Sequence, residues 1–367
     1  MENSKIAWTD HTFNPWIGCT KVSPGCVNCY AKTRDDRHLH STESHWGPGA
    51  RRQITSDANW RKPIKWDRDA AAQHTRARVF CASLADVFDS EAPEGVRERI
   101  WELIRCTPHL DWLLLTKRAK NICNFLPEDW CTGYPNVWLG VSCEDRKNGY
   151  PRVDVLRTIP AVKRFVSCEP LLEDIRDINL TGIDWVIVGG ESGKSSGVRV
   201  FDLAWARNLK AACNESETNF FVKQMGSQPV QDGSPFPILQ SVPGGNHDRD
   251  GRCLDNFPTD LQVQEMPNSG CHEVASLGID SSSRQDDYRQ RGLKAAETRR
   301  RNAARNKSLA LAATPDEGVS GEEFARMIYW LQGYSEGDAG VLSHLAECAI
   351  ASLTGMIGVL ADLEREE

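Results

Sequence analysis

The sequence predicts an α/β protein, built as a full or partial β/α barrel with a helical extension at its C-terminal end. Three observations support this class. Short apolar runs recur between Arg78 and Gly226, more amphipathic stretches separate them, and each run ends in small or polar residues. Strands that alternate with helices are typical of a parallel sheet. Because another strand is expected near the N-terminus, the number of units favours a barrel over an open sheet.

Six apolar runs are the predicted strands of this sheet, and continuous apolar runs suit strands that are buried on both faces. The runs begin at Arg78, Asp111, Asn136, Lys163, Asp184 and Asn219. An earlier strand is expected in the segment FNPWIGC, which begins at Phe13. Helices are expected between the strands, for example over residues 94–107 and 202–215.

Chemically capable side chains follow the strands at the predicted carboxyl edge of the sheet, where the loops of β/α barrels build the active site. Polar residues follow many strands simply because loops are wet. However, SCED, SCEP and GGES are alike, and each places a Glu just beyond its strand. The residues expected to line a cofactor pocket are Asp86, Ser142, Glu144, Gly189, Gly190 and Glu191. Those expected to be catalytic are Lys117, Glu169 and Glu191.

The composition limits which classes of protein this chain can belong to. A chain of 367 residues with 26% charged residues is ordinary for a soluble globular protein. No apolar run approaches the roughly 20 residues of a membrane helix, and no secretion signal is evident. We therefore expect a cytoplasmic protein without a membrane partner. The expected organisation is a barrel domain over residues 1–267, a Ser-, Asp- and Gly-rich linker over 268–287, and an accessory helical region over 288–367.

Three of the 13 cysteines, Cys19, Cys26 and Cys29, are clustered in one loop. A disulfide framework is not expected in the cytoplasm. Structural zinc usually needs four ligands, and a second C-x2-C pair is missing, although a histidine could complete such a site. Three thiolates on a [4Fe–4S] cluster leave one iron open for a small molecule. This is the arrangement that binds S-adenosylmethionine (SAM) in radical-SAM enzymes, so we expect a [4Fe–4S] cluster and SAM as cofactors.

A basic and aromatic segment between the cysteine loop and the second predicted strand suggests nucleic acid as a partner. The net charge is −7, so nucleic-acid binding would have to come from a local patch. Aromatic side chains can stack on bases while Arg and Lys contact phosphates. The alternative is that the tryptophans pack the segment onto the barrel. The expected contacts are Trp46, Arg51, Arg52, Trp60, Lys62 and Lys65.

Several blocks of the sequence resemble a phage and prophage family that is known by its three-cysteine motif and described as radical-SAM-like. The blocks include GCTKVSPGCVNCYA, CASLADVFD, LLLTKR, VIVGGESG and FVKQMG, and the resemblance runs from Ile6 to Pro267. It implies a radical-SAM-type fold, with a three-Cys-motif partner protein often encoded nearby. The cysteine spacing here is C-x6-C-x2-C where C-x3-C-x2-C is common, and Gly-Gly-Glu follows a late strand where it usually follows the second.

Together these features predict a radical-SAM-like [4Fe–4S] enzyme that acts on nucleic acid, through base modification or repair of a lesion. Such an enzyme would need an electron donor such as flavodoxin or ferredoxin. One alternative is a non-catalytic nucleic-acid-binding protein that is stabilised by zinc or by a cluster. A second is a radical enzyme that acts on a small molecule or a peptide.

Overall fold

A seven-stranded parallel sheet organises the part of the chain that the computed structural model describes, which comprises residues 1–38, 44–193, 197–237 and 252–268. The strands are β1 (His11–Phe13), β2 (Trp16–Ile17), β3 (Gln53–Ile54), β4 (Ala77–Cys81), β5 (Leu110–Thr116), β6 (Val137–Ser142), β7 (Lys163–Cys168), β8 (Trp185–Gly189), β9 (Phe201–Asp202), β10 (Asn219–Gln224), β11 (Pro229–Gln231) and β12 (Ser234–Pro235). The helices are α1 (Tyr30–His38), α2 (Asp57–Ala72), α3 (Val96–Arg105), α4 (Ile122–Phe125), α5 (Arg146–Thr158) and α6 (Leu203–Glu215).

The strands of the large sheet follow one another in chain order, β1-β4-β5-β6-β7-β8-β10, and every neighbouring pair is parallel. Right-handed crossovers between consecutive parallel strands place their connections on one face, and the sheet curls around the other. The result is a mixed α/β fold with a curled half-barrel sheet, which confirms the prediction of a partial β/α barrel at this level. Two small sheets, β2-β3 and β12-β11-β9, flank it.

The two faces of the large sheet bury different side chains. The outer face packs against the helices, so that Val186 and Val188 of β8 belong to the same cluster as Ile100 of α3 and Leu209 of α6. The inner face holds a second cluster that is rich in aromatic rings, with members Trp8, Phe80, Leu113, Trp138, Phe165, Trp185, Ile187 and Phe221. Burial on both faces explains why these strands read as continuous apolar runs.

The first predicted strand is divided in the structure. β1 joins the large sheet beside β4, whereas β2 pairs with β3 in an antiparallel pair. Asn14 and Pro15 separate the two strands, and Pro15 lacks the N–H group that a continuous ladder would require. The prediction of one strand from Phe13 to Cys19 is therefore corrected.

Helices are not equally distributed among the connections. α3 and α6 confirm the predicted helices within residues 94–107 and 202–215. The chain between β7 and β8 contains turns and no helix, and α4 is only 4 residues long. In contrast, α2 spans 16 residues where no helix was predicted, and it contains Pro63.

The segment after β10 covers the edge of the sheet. The Val222 N–H donates to the Val263 carbonyl, and the Trp185 indole donates to the Glu265 carbonyl at 2.9 Å. An exposed strand edge would otherwise present unpaired backbone groups. No helix among the described residues is long and apolar enough to cross a membrane. Apart from Asn268, the predicted linker and accessory helical region lie outside the described residues.

Candidate functional site

A cavity of about 440 Å³ lies at the carboxyl edge of the large sheet. Its floor is apolar and includes Trp8, Phe80 and Leu115. Its wall is polar and includes Ser83, Asp86, Thr116, Lys117, Ser142, Ser167, Glu169, Glu191, Lys223 and Gln224. The volume is that of a cofactor or drug-sized ligand, and the position is where β/α barrels hold their active sites.

Strand periodicity produces this polar wall. In β7, Phe165 belongs to the inner aromatic cluster, and Ser167 and Glu169 follow it at steps of two residues. In β10, Phe221 is likewise followed by Lys223. Alternate residues of a strand share a face, so the inner face changes from aromatic to polar toward its carboxyl end. The same face of the sheet therefore supplies both the apolar floor and the polar wall.

The three clustered cysteines line the same cavity. Cys26 ends a short 3-10 turn, and Cys29 immediately precedes α1. Gly25 lies so close to Glu144 that a Cβ atom there would sit 2.4 Å from the carboxylate Oε1. The loop is thus packed directly against the carboxyl end of β6, and a larger residue at position 25 would displace it.

Arg118 holds the Cys19 side of the loop. Its guanidinium donates to the Cys19 Sγ at 3.3 Å, to the Thr20 carbonyl at 2.8 Å and to Asp86 at 3.0 Å. Burial raises the pKa of the Cys19 thiol to about 12, and Arg118 offsets this only in part. The Asp86 carboxylate also accepts from the Thr116 hydroxyl at 2.7 Å. Asp86 was predicted to line the cofactor pocket, and here it also orients Arg118.

Glu191 holds the Cys26–Cys29 side. Its Oε2 accepts from the Asn28 amide at 2.8 Å, and from the Arg199 N–H and Nε at 3.0 Å each. Its Oε1 accepts from the Arg199 Nη2. Burial alone would raise the pKa of Glu191, but the bonds from Arg199 and Asn28 hold it below its ordinary value. These four donors match the roughly four lone-pair sites of a carboxylate. Glu191 lines the cavity, as predicted, but its carboxylate is already bonded to Asn28 and Arg199, so a ligand-binding or catalytic role stays a prediction.

Lys117 and Glu144 form a buried ion pair beside the cysteine loop. The Lys117 Nζ lies 2.5 Å from one oxygen of Glu144, and Arg152 lies 2.7 Å from the other. Burial alone would raise the pKa of Glu144, but these two cations lower it below its ordinary value. Burial alone would lower the pKa of Lys117, whereas Glu144 and then Cys26 raise it. Lys117 therefore stays protonated and places a positive charge near Cys26.

Glu169 and Gln224 occupy the opposite wall. Glu169 is 2.8 Å from the Lys223 ammonium and accepts from the Ser167 hydroxyl at 3.2 Å. The Gln224 amide nitrogen donates to the Gly190 carbonyl at 2.9 Å and to the Ser192 hydroxyl at 2.6 Å. Its Oε1 is buried and has no hydrogen-bond partner among the described residues. The Glu169 carboxylate therefore lines the cavity beside a cation, whereas the Gln224 acceptor oxygen is shielded.

Most of the predicted pocket residues converge, with two exceptions. Gly190, Ser142 and Asp86 line the cavity, whereas Gly189 and Glu144 lie behind it. Arg152 was not predicted. It is 8% exposed on α5 and balances Glu144 from the helix side. An Arg within the apolar stripe of an amphipathic helix is the signal that could have identified it.

The basic and aromatic segment is used mainly for packing. Trp60 is 1% exposed and packs edge-on against Phe13, so it cannot stack on a base in this conformation. Arg52 is 4% exposed, pairs with Asp89 at 3.1 Å and also pairs with Glu91. The predicted nucleic-acid contacts at Trp60 and Arg52 are therefore corrected, because both side chains are buried.

The other predicted contacts of this segment remain accessible. Arg51, Lys62 and Lys65 are exposed, although Lys65 pairs with Asp69 at 2.7 Å. Trp46 lines the cavity and donates its indole N–H to Asp35 at 2.8 Å. The Gly47 N–H donates to the Cys19 carbonyl at 3.0 Å. This end of the segment therefore contacts the cysteine loop directly.

Three thiols of one loop line one cavity, and two cations, Lys117 and Arg118, lie beside them. Within residues 1–38, 44–193, 197–237 and 252–268, no three Cys, His, Asp or Glu side chains converge at metal-binding distance. The Cys19 thiol is instead bonded to Arg118. Binding of one metal ion or cluster by all three thiols would therefore require them to move closer together. The two halves of their loop are bonded to residues that follow different strands, Arg118 after β5 and Glu191 after β8.

The comparisons with known proteins give a family without a described activity. A family model described as "Protein of unknown function (DUF5131)" matches residues 3–302. No curated protein matches the chain, and neither does any solved structure. The matched range includes the cysteine loop, all seven strands of the large sheet and every residue that lines the cavity. Because the match extends over most of the sequence, this chain belongs to the DUF5131 family.

Proposed function

We propose that this protein is an iron–sulfur enzyme of the radical-SAM type, in which Cys19, Cys26 and Cys29 hold a [4Fe–4S] cluster. One observation carries the proposal: three thiols of a single loop line a cavity at the carboxyl ends of parallel strands. When bound, a cluster with one iron free of cysteine supplies the electron for reductive cleavage of SAM. We include in this proposal that the chain is a member of the three-Cys-motif family that its sequence blocks resemble.

The residues around the cavity are suited to such a site. Lys117 and Arg118 place positive charge beside Cys26 and Cys19, which offsets the negative charge of thiolate ligands. Trp8 and Phe80 keep water from the floor. Glu169 provides an ionisable group for a polar ligand. The cavity thus combines a thiol side, an apolar floor and a polar wall.

Nucleic acid is the substrate class that we propose, through base modification or lesion repair. Trp46 supports it, because it belongs to the basic segment and lines the same cavity as the thiols. Arg51 and Lys62 are exposed nearby in sequence and are available for phosphates. A base could enter the cavity only as an unstacked nucleotide, as in enzymes that act on single strands or flip their target.

Metal content tests the cluster. Protein purified without oxygen should contain about four iron and four sulfide per chain and absorb in the visible range. Cys26→Ala should lose both. Cys123→Ala is the matched control, because Cys123 is exposed on α4 and does not line the cavity. Colourless wild-type protein with about one zinc per chain would instead support a zinc-stabilised binding protein.

Product analysis tests the chemistry. Reduced and reconstituted protein should release 5′-deoxyadenosine from SAM, and Cys29→Ala should release none above background. Single-stranded and duplex DNA and RNA should be supplied in separate reactions, because a bound substrate often controls cleavage. Absence of product with every substrate and with a strong reductant would leave a cluster protein without this activity.

A further inference from the structure

Two segments that are distant in the sequence meet at Glu191. The first is the second half of the cysteine loop, where Asn28 stands between Cys26 and Cys29. The second follows β8 and contributes Glu191, Gly197 and Arg199. The Asn28 amide nitrogen donates both to Glu191 at 2.8 Å and to the Gly197 carbonyl at 2.7 Å. Both of its amide hydrogens are therefore used within this contact.

Arg199 closes the contact from the other side. Its backbone N–H and Nε donate to Glu191 Oε2, and its Nη2 donates to Oε1. Its Nη1 donates to the Pro24 carbonyl at 2.8 Å. Arg199 thus connects the carboxylate to the start of the 3-10 turn that carries Cys26. Charge-assisted bonds of this kind are about twice as strong as neutral ones.

The geometry leaves Glu191 little capacity for anything else. The carboxylate is 7% exposed and has four donors on two oxygens. A ligand amine or hydroxyl could bind it only by displacing Asn28 or Arg199. The contacts that fix Cys19 come from Arg118 and are separate from these. The two halves of the loop are consequently held to the strands by different residues, and the Lys21 ammonium, which donates to the Val27 carbonyl at 3.1 Å, links them.

We propose that Asn28, Glu191 and Arg199 form a clamp that fixes the Cys26–Cys29 half of the loop against the carboxyl edge of the sheet. Glu191 is then a positioning residue that acts on the thiols through Asn28 and Arg199, and not a group that binds or reacts with the ligand. The role of the clamp in cluster binding rests on the proposed function. Its effect on the accessibility of the Cys26 and Cys29 thiols can be measured in protein without iron.

Thiol accessibility in the metal-free full-length chain is the primary test. Alkylation by iodoacetamide is followed peptide by peptide, the exposed Cys123 and Cys131 serve as internal standards for the reagent, and the buried Cys81 and Cys213 report global unfolding. Glu191→Gln should speed alkylation of Cys26 and Cys29 by about tenfold, as expected when a charge-assisted hydrogen bond is lost from a local opening equilibrium. Cys19 should keep its wild-type rate. Glu215→Gln, an exposed carboxylate on α6, is the matched control and should change none of these rates.

An exchange of the two partners gives the sharper test. Asn28→Asp places two carboxylates within hydrogen-bond distance and should loosen the loop at least as much as Glu191→Gln. The double variant Asn28→Asp/Glu191→Gln removes the pair of facing carboxylates, but an aspartate at position 28 cannot donate to the Gly197 carbonyl, so the alkylation rates should recover only in part. Independent destabilisation would add the two effects, whereas a direct contact makes the combined effect smaller than their sum.

Iron binding then separates the clamp from the proposed function. If wild-type protein binds iron, a chelator should remove it about tenfold faster from Glu191→Gln than from Glu215→Gln. If wild-type protein binds no iron, the proposed function fails, and the alkylation rates still decide on the clamp. Unchanged rates at Cys26 and Cys29 in Glu191→Gln and Asn28→Asp would overturn it, as would additive effects in the double variant.

Discussion

The carboxyl ends of the strands and the segment from Trp46 to Trp66 look equally functional in the sequence, yet the fold uses them differently. At the strand ends, polar side chains such as Ser167 and Glu169 line one cavity together with the three thiols. In the segment, Trp60 and Trp66 are 1% and 2% exposed and support the packing of α2 on the sheet. Residue type alone does not separate the two regions.

Periodicity separates them. Past the end of a strand, polar residues at steps of two continue the inner face and therefore meet the cavity. In α2, the buried residues are Trp60, Pro63, Trp66 and Ala70. Their spacing of three and four residues is that of a helix stripe facing a core. An aromatic residue in a basic segment is thus a candidate for base stacking only if it lies outside such a stripe, as Trp46 does.

The largest expected effect is on stability, at Trp60. Trp60→Ala removes a buried ring that packs on Phe13 and lies 4.0 Å from the Arg99 guanidinium, and should lower the free energy of unfolding by about 3–5 kcal/mol. Denaturant unfolding measures it, with the partly exposed Trp46→Ala as the comparison variant. Equal losses in the two variants would contradict the distinction between a packing and a cavity tryptophan.

An intermediate effect is expected at the Lys117–Glu144 pair. Lys117→Met leaves Glu144, which is 0% exposed, with Arg152 as its remaining cation, and should cost about 1–3 kcal/mol. Lys163→Met is the control, because Lys163 pairs with the partly exposed Asp184 at the opposite edge and should cost less than about 1 kcal/mol. A larger loss of unfolding free energy in Lys163→Met than in Lys117→Met would mean that stability does not depend more on the ion pair at the cavity wall.

The same pair predicts a pH dependence. The pKa of Glu144 lies below its ordinary value of 4.5 in the folded protein, so the ionised carboxylate stabilises the fold. This contribution is complete above the unfolded pKa and is lost as the pH falls through the lower folded pKa. The difference in unfolding free energy between wild type and Glu144→Gln should therefore shrink below about pH 4. A difference independent of pH would show that the charge of Glu144 is not what stabilises it.

The smallest expected effect concerns the exposed cations of the segment. Arg51→Gln/Lys62→Gln should flatten the salt dependence of nucleic-acid binding by two contacts, each worth about 0.7 in log–log slope for single strands or 0.9 for duplex. Arg52→Gln should lower stability and leave the slope unchanged, because Arg52 is buried in ion pairs. An unaltered slope in the double variant would remove these cations from the proposed interface.

Much of the fold could be predicted from the sequence, because its signals are local. The six apolar runs start within one residue of β4 to β8 and β10, since strands buried on both faces need continuous apolar residues. The placement of Lys117, Ser142 and Glu169 at one cavity also follows from the sequence, because the carboxyl ends of parallel strands share an edge. The break at Pro15 could have been predicted from its missing N–H group.

By itself, the sequence determined six strands of the large sheet and the edge of the sheet that carries polar groups and thiols. Only the tertiary structure decided which charged groups neutralise one another. Glu191 meets Asn28 across 163 positions, and Arg118 reaches Cys19 across 99, so neither pairing has a local pattern. Such contacts depend on how a curled sheet brings loops together. A carboxylate that looks free in the sequence can therefore be fully bonded, because a buried charge must find partners wherever the fold supplies them.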